Sequence, residues 1–214
     1  GGVGGPAGLA QQRFFVGIND PLGQNPTGAA FDSRVFTLFD AWTGLTGNAE
    51  NSARASIGRG QGIFNTRQFT ISGVRGLNGQ ASDPLGTAPL TGGCFTCHDS
   101  PNVGNHSVAL PLDIGVTGPD VVNTDVYPRY TLQNTATGEI VRTSDPGRAL
   151  VTGKWADMSR FKGPILRGLA ARPPYFHNGS AATLDDVVKF YDTRFHIGLS
   201  AQDATDLANF LRAL

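Results

Sequence analysis

The chain has 214 residues, 17 Lys+Arg against 17 Asp+Glu and a formal net charge of 0, with 16% charged residues against the roughly 25% of an average soluble protein. Balanced charge leaves no electrostatic footprint for nucleic acid or an anionic membrane surface, and no apolar run reaches the length of a membrane span. With 29 Gly and 13 Pro, the composition predicts a loop-rich protein with few helices, packed around a large apolar group that supplies core volume.

Residues 1–12 are Gly-rich and read as flexible. The start Gly1-Gly2-Val3-Gly4-Gly5-Pro6 has neither an initiator Met nor an export signal, so the chain is expected to be processed or incomplete. Phe14, Phe15, Val16 and Ile18 form a short apolar patch before a turn at Asn19-Asp20-Pro21. Val35, Leu38, Phe39 and Trp42 lie at i, i+3, i+4 and i+7, which predicts a helix over 33–42 stopped by Gly44 and Gly47. A second helix is expected to begin near Asn51 or Ser52 and to carry Ile57 and Phe64. Gly60 and Gly62 are poor helix formers, so close approach to another helix is the expected reason for them. Residues 67–74 are compatible with an extended strand, and 76–93 read as a surface loop. We divide the chain into an extension over 1–50 and a main domain over 51–214.

Both cysteines fall in Cys94-Phe95-Thr96-Cys97-His98. C-x-x-C-H is the attachment signature of a c-type haem. Each thiol adds to a haem vinyl group, one helical turn apart, and the next residue lies under the iron. Three rivals are weaker. A zinc site needs about four ligands, and two Cys with His98, His106, His177 and His196 lack a finger-like spacing. A thioredoxin-like pair needs a βαβ context that is not visible, and a Cys94–Cys97 disulfide closes too small a loop to stabilise much. The expected cofactor is one covalently attached haem c.

Asp99-Ser100-Pro101-Asn102 ends the short haem helix. His106 is a candidate propionate contact or plain polar surface. Residues 109–126 read as a loop with Leu110, Leu112 and Ile114 turned inward. Residues 128–133 and 139–143 flank Thr135-Ala136-Thr137-Gly138 as a small β-hairpin. A helix from about Leu184 to Arg194 follows, with a capping-box-like Thr183 and Asp186 and an apolar face of Leu184, Val187, Val188 and Tyr191. The last helix spans about Ala201 to Ala213. Ser200 and Asp203 cap it, and Leu207, Phe210, Leu211 and Leu214 form its inward stripe.

Taken together, C-x-x-C-H, Phe161-Lys162-Gly163-Pro164-Ile165-Leu166-Arg167, Pro174-Tyr175-Phe176-His177-Asn178-Gly179-Ser180 and the terminal helix resemble one family. It is the C-terminal haem domain of bacterial dihaem cytochrome c peroxidases and MauG-type enzymes, and the resemblance covers roughly residues 54–214. Arg59-Gly60-Gln61-Gly62-Ile63-Phe64-Asn65 also resembles the helix that opens many cytochrome c domains, whose aromatic end packs near the haem-bearing helix. The fold implied is mainly α, cytochrome c-like, with long loops and a small β-hairpin. The resemblance implies His98 as one axial ligand. It places the second fourteen residues after His177, at Tyr191, where the peroxidases carry Met and MauG-type enzymes carry Tyr.

The residues themselves leave alternatives at that sixth position. Tyr191 falls on the apolar face of its helix, where its hydroxyl needs a partner, and tyrosinate is a known haem ligand. The competitors are Met158, the single methionine, and a five-coordinate or water-bound iron. Arg167 and His177 are candidate haem-binding residues through a propionate or backbone contact. There is no second C-x-x-C-H, so the peroxide-reacting half implied by the family is absent from this sequence. The leading expectation is an electron-transfer cytochrome, the relay half of a dihaem enzyme, paired with a redox partner protein or a second haem domain. The alternatives are a peroxidase or oxidase acting at this haem and a monohaem subunit of a larger assembly. Whether it is an enzyme in its own right stays open; as part of one, it is an oxidoreductase. Haem c is attached outside the bacterial cytoplasm, which predicts a periplasmic or extracellular location.

Overall fold

The computed structural model describes residues 19–21, 28–105, 110–118 and 127–214. The Gly-rich start, the patch of Phe14 to Ile18, His106 and the end of the 109–126 loop lie outside the described residues. The long elements are helices joined by long loops, with two small antiparallel hairpins. In chain order they are α1 (Ala49–Thr66), β1 (Phe69–Ile71), β2 (Leu90–Gly92), α2 (Cys94–Cys97), β3 (Tyr130–Gln133), β4 (Ile140–Thr143), α3 (Ala149–Thr152), α4 (Leu184–Phe195) and α5 (Ala201–Ala213). No helix among the described residues is long and apolar enough to cross a membrane.

The frame is the crossing of α1 and α5. Asn48 starts α1 by accepting a hydrogen bond from the Asn51 N–H at 2.8 Å. A helix with three glycines has little intrinsic stability, so packing must hold it. A side chain at Gly60 would bring its Cβ to 2.0 Å from the Asp206 carbonyl oxygen, so only glycine admits the contact. The expectation of close approach therefore holds at Gly60 and fails at Gly62, which has nothing within 4 Å and faces open space. Phe36 meets Phe64 and Phe210 edge-on at this crossing, and Phe64 and Phe210 are tilted to each other, with ring centroids 5.1–5.6 Å apart. Asp206 is buried there. It accepts hydrogen bonds from Ser56 Oγ (2.6 Å), Arg59 Nε and Nη2 (2.7 and 2.9 Å) and Gln202 Nε2 (2.9 Å). Burial alone would raise this carboxyl; the donors of Arg59, Ser56 and Gln202 together outweigh it and hold the group below the usual carboxylate range.

The helix expected over 33–42 is not formed; only Asp40–Trp42 make a 3-10 turn. Side chains from elsewhere capture the backbone instead. Asn65 accepts from the Phe36 N–H (3.1 Å) and donates to the Phe36 carbonyl (2.7 Å), Gln61 accepts from Phe39 N–H, and Asn102 accepts from Thr37 N–H. Val35 and Phe36 are both buried, while Leu38, which the predicted helix would turn inward, is exposed.

A second correction concerns residues 76–93. They end in β2, paired with β1 in the register Phe69↔Gly92, and their middle is internal. Leu77, Asn78 and Asp83 are buried. Asn78 donates to the Ile71 and Ala88 carbonyls, and Asp83 accepts from Gly79 and Gln80 N–H and from Arg160 at 2.8 Å. Among the described residues there are thus two hairpins, where the sequence predicts one. The expected one is β3–β4, in the register Tyr130↔Thr143.

The C-terminal helices match expectation. Thr183 and Asp186 form a reciprocal capping box on α4, and Ser200 Oγ accepts from Asp203 N–H on α5. Arg194 ties α4 to the loops beside it, donating to the carbonyls of Ile114 and Gly73 at 3.2 Å.

Candidate functional site

The motif helix α2 is a single turn, begun by Gly93. A Cβ there would lie 2.4 Å from the Phe95 ring and 2.6 Å from the Arg67 carbonyl oxygen. Thr96 Oγ1 accepts from the Gly93 N–H at 3.0 Å, and the His98 N–H closes the turn on the Cys94 carbonyl at 3.0 Å. Phe95 and Thr96 are buried, which fixes the turn and leaves Cys94, Cys97 and His98 to the other side.

The two cysteines pack on different apolar clusters. Cys94 packs on the cluster of the α1–α5 crossing, with Phe64, Leu184 and Phe210. Cys97 packs on a second cluster of Ile71, Val74, Leu77, Leu112 and Phe195. Tyr191 of α4 packs on that same second cluster, so α2 and α4 converge. The Phe64 ring lies 6.2 Å from the His98 ring, as the resemblance of α1 to an opening cytochrome helix implies.

The electrostatics follow from this burial. Both cysteines are free thiols, and burial pushes each up to about 12, with Asp99 adding to the effect on Cys97. Burial lowers His98 to about 4, so its imidazole is neutral at pH 7, and its Nδ1 has no hydrogen-bond partner among the described residues. Burial drives the Tyr191 phenol above its ordinary range. The sulfurs of Cys97 and Cys94 are near enough that their negative charge would oppose its ionisation further.

Beside Cys97 lies a cavity of about 30 Å³ lined by Leu77, Thr96, Asp99, Asn105, Leu110 and Leu112. That is room for one or two waters and not for a porphyrin. What fits haem c is the donor set: two free thiols one turn apart, a neutral buried imidazole with an orphaned nitrogen beside them, and a phenol from the facing helix. No three His, Cys, Asp or Glu side chains gather as a zinc cluster among the described residues.

The remaining candidates lie apart from this convergence. Met158 is buried but belongs to neither cluster. Arg167 is exposed. His177 Nε2 is in close contact with Asp145 Oδ2, and its ring stacks on Phe161 with centroids 3.7 Å apart. The structure adds residues that the sequence does not single out. Asp99 reads there only as part of a helix stop, yet it is buried, and burial raises its carboxyl to about 7. Asn105 is buried at the same cavity. Neither carries a signal in sequence, because their burial comes from segments far along the chain. Asp145 lies 32 residues before His177, too far for a local signal to pair them.

No family model matches the chain, and no solved structure matches it. Among characterised proteins it is similar to cytochrome-c peroxidase IdrP2 of Denitromonas iodatirespirans, 31% identical over 152 residues, covering 64% of this chain and 40% of that protein. Cytochrome c551 peroxidase of Nitrosomonas europaea is 35% identical over 97 residues, 45% of this chain and 22% of its own. Cytochrome c peroxidase Ccp of Escherichia coli is 42% identical over 79 residues, 36% of this chain and 17% of its own. The matches span at most two fifths of the length of these relatives. Over these partial matches, the chain is similar to bacterial cytochrome-c peroxidases.

Proposed function

We propose that the chain is a cytochrome c-like haem domain that transfers single electrons. In this reading Cys94 and Cys97 would hold one haem c through thioethers, and His98 and Tyr191 would be the protein ligands to its iron. The observation that carries it is the partly buried approach of Tyr191 of α4 to Cys94 and Cys97 of the motif. When bound, haem c supplies reversible one-electron exchange at its iron.

The chain's own residues do the rest. His98 is neutral without giving up a proton, as an iron-binding imidazole must be. Tyr191 must lose its proton to bind, which its apolar surroundings resist unless a cation stands opposite. A phenolate so held favours the oxidised state and lowers the potential. The rings in contact with Tyr191 are Phe176, Phe190 and Phe195. These rings supply an apolar face to the phenol and no acid or base of their own. Met158, outside both clusters, is the weaker candidate. Exposed Arg167 meets a haem carboxylate at the solvent edge in this reading, and His177, on Asp145, holds the Pro174–Gly179 turn.

The relatives are longer than this chain, so the proposed partner is a second haem domain or a separate redox protein. The proposed location is periplasmic or extracellular, and the proposed haem domain is 51–214, preceded by an extension over 1–50. The test is the ferric absorption spectrum of the matured protein beside Tyr191→Phe and Met158→Leu. A six-coordinate spectrum altered only by Tyr191→Phe supports the axial pair. A sulfur-to-iron band lost in Met158→Leu, or a high-spin wild type, sinks it.

A further inference from the structure

In the turn Pro174-Tyr175-Phe176-His177-Asn178-Gly179, the Phe176 backbone has φ of 62°. That left-handed conformation is unfavourable for a bulky side chain. Asn and Gly adopt it readily, and Asn178 and Gly179 stand only two and three residues away, yet the chain also bends at phenylalanine. Such strain persists only where the surroundings over-determine it, and here they do. The Tyr175 hydroxyl donates to the Leu169 carbonyl at 3.1 Å, and its N–H to the Ala181 carbonyl at 2.7 Å. His177 is held by Asp145 and Phe161, and Asn178 Nδ2 donates to the Val116 carbonyl at 2.9 Å. Each residue beside Phe176 is thus fastened to a different part of the molecule.

The product of this bend is the placement of one ring. Phe176 lies edge-on to Phe190, with centroids 4.9 Å apart, and against Tyr191 at 6.2 Å. Rotating φ back to negative values would redirect the Cβ and carry the ring off α4. We propose that Phe176 is a positioning residue for Tyr191: its strained backbone wedges the ring against α4 and holds the phenol toward Cys94, Cys97 and His98. This rests on the reading of Tyr191 as an iron ligand.

The experiment uses the full, haem-loaded chain and compares Phe176→Gly, Phe176→Ala, Phe176→Tyr and Tyr191→Phe by ferric absorption and EPR spectra and by melting temperature. Phe176→Gly and Phe176→Ala are expected to lose the wild-type ligand signature and move toward the Tyr191→Phe spectrum, while Phe176→Tyr keeps it. Phe176→Gly is expected to melt above Phe176→Ala, because both lose the ring and only glycine relieves the strain. The proposal is overturned if Gly and Ala keep the wild-type spectrum, if Ala melts as high as Gly, or if neither folds, which would make the ring ordinary core. A Tyr191→Phe spectrum identical to wild type instead removes Tyr191 as ligand, and the proposal falls with it.

Discussion

Replacing Gly60 by alanine adds one methyl group at the tightest point of the α1–α5 crossing. The new Cβ would stand 2.0 Å from the Asp206 carbonyl oxygen, 2.6 Å from its carbon and 2.7 Å from Phe210 Cβ. Two of these are backbone atoms in mid-helix, so the obstacle cannot rotate away. The helices must part by about 1 Å or more to reach ordinary contact. The Asp206 hydrogen bonds and the Phe36–Phe64–Phe210 ring contacts lie on the seam that opens. Alanine gains about 1 kcal/mol of helix propensity over glycine. Overpacking a filled interface costs about 3 kcal/mol at the upper end of its usual range. The net loss is about 2 kcal/mol, or about 4–8 °C in Tm for a chain of this size. Gly62→Ala is the control, because nothing lies within 4 Å of its Cβ, and it should gain up to about 1 kcal/mol. Urea unfolding of the matured protein, followed by far-UV circular dichroism, reads both as midpoint shifts. Opposite signs two residues apart are expected; a Gly60→Ala protein as stable as wild type refutes the crossing geometry.

Asp206→Asn should destabilise by about 2 kcal/mol at pH 7, since hydrogen bonds from a cation to a buried carboxylate are lost. The Asp206 carboxyl is held below its unfolded value, so its contribution is fully present above the unfolded pKa of about 3.9 and is lost as pH falls through the folded value. The gap between wild type and variant should therefore be constant above about pH 5 and narrow below pH 4, as read by melting across pH. Asn65→Ala leaves the Phe36 N–H and carbonyl without their partner in the core and should cost about 2 kcal/mol. Its signature is faster hydrogen exchange at the Phe36 amide, and unchanged exchange there contradicts the pairing. Ser200→Ala removes the N-cap of α5 and should cost about 1 kcal/mol in the same unfolding assay.

The parts of the fold that are legible in the sequence are those decided locally. Thr183 and Asp186, or Ser200 before α5, satisfy backbone groups three residues away. Cys94 to His98 carry their chemistry within one turn. The segment 33–42 is misread because its apolar spacing is local while its bonding is not: Asn65, Gln61 and Asn102 reach it from 22 to 65 residues away. Asn78 and Asp83 are turn-type residues that look solvent-facing until their inward partners are known. At the site, the convergence of Cys97 with Tyr191 depends on packing across almost half the chain. Two signals point to Tyr191: the resemblance of the P-Y-F-H segment and the place of the phenol on the apolar face of its helix. The strained φ of Phe176 has no trace in residue identities at all, since phenylalanine is the type least expected there.

The hydrogen bond from Ser56 to Asp206 joins positions 150 residues apart. Its meaning lies in time as well as in space. Closing a loop of that size carries an entropic cost of roughly 4 kcal/mol, and contacts so distant in sequence form late. Until α5 arrives, the groove of α1 has no lid, and the cluster on which Cys94 packs is incomplete. The thiols, pushed up to about 12 by burial in the finished structure, are then exposed and more readily ionised. The crossing thus marks two stages in the life of the molecule: an open one in which Cys94 and Cys97 are more exposed and reactive, and a closed one in which packing partly covers them.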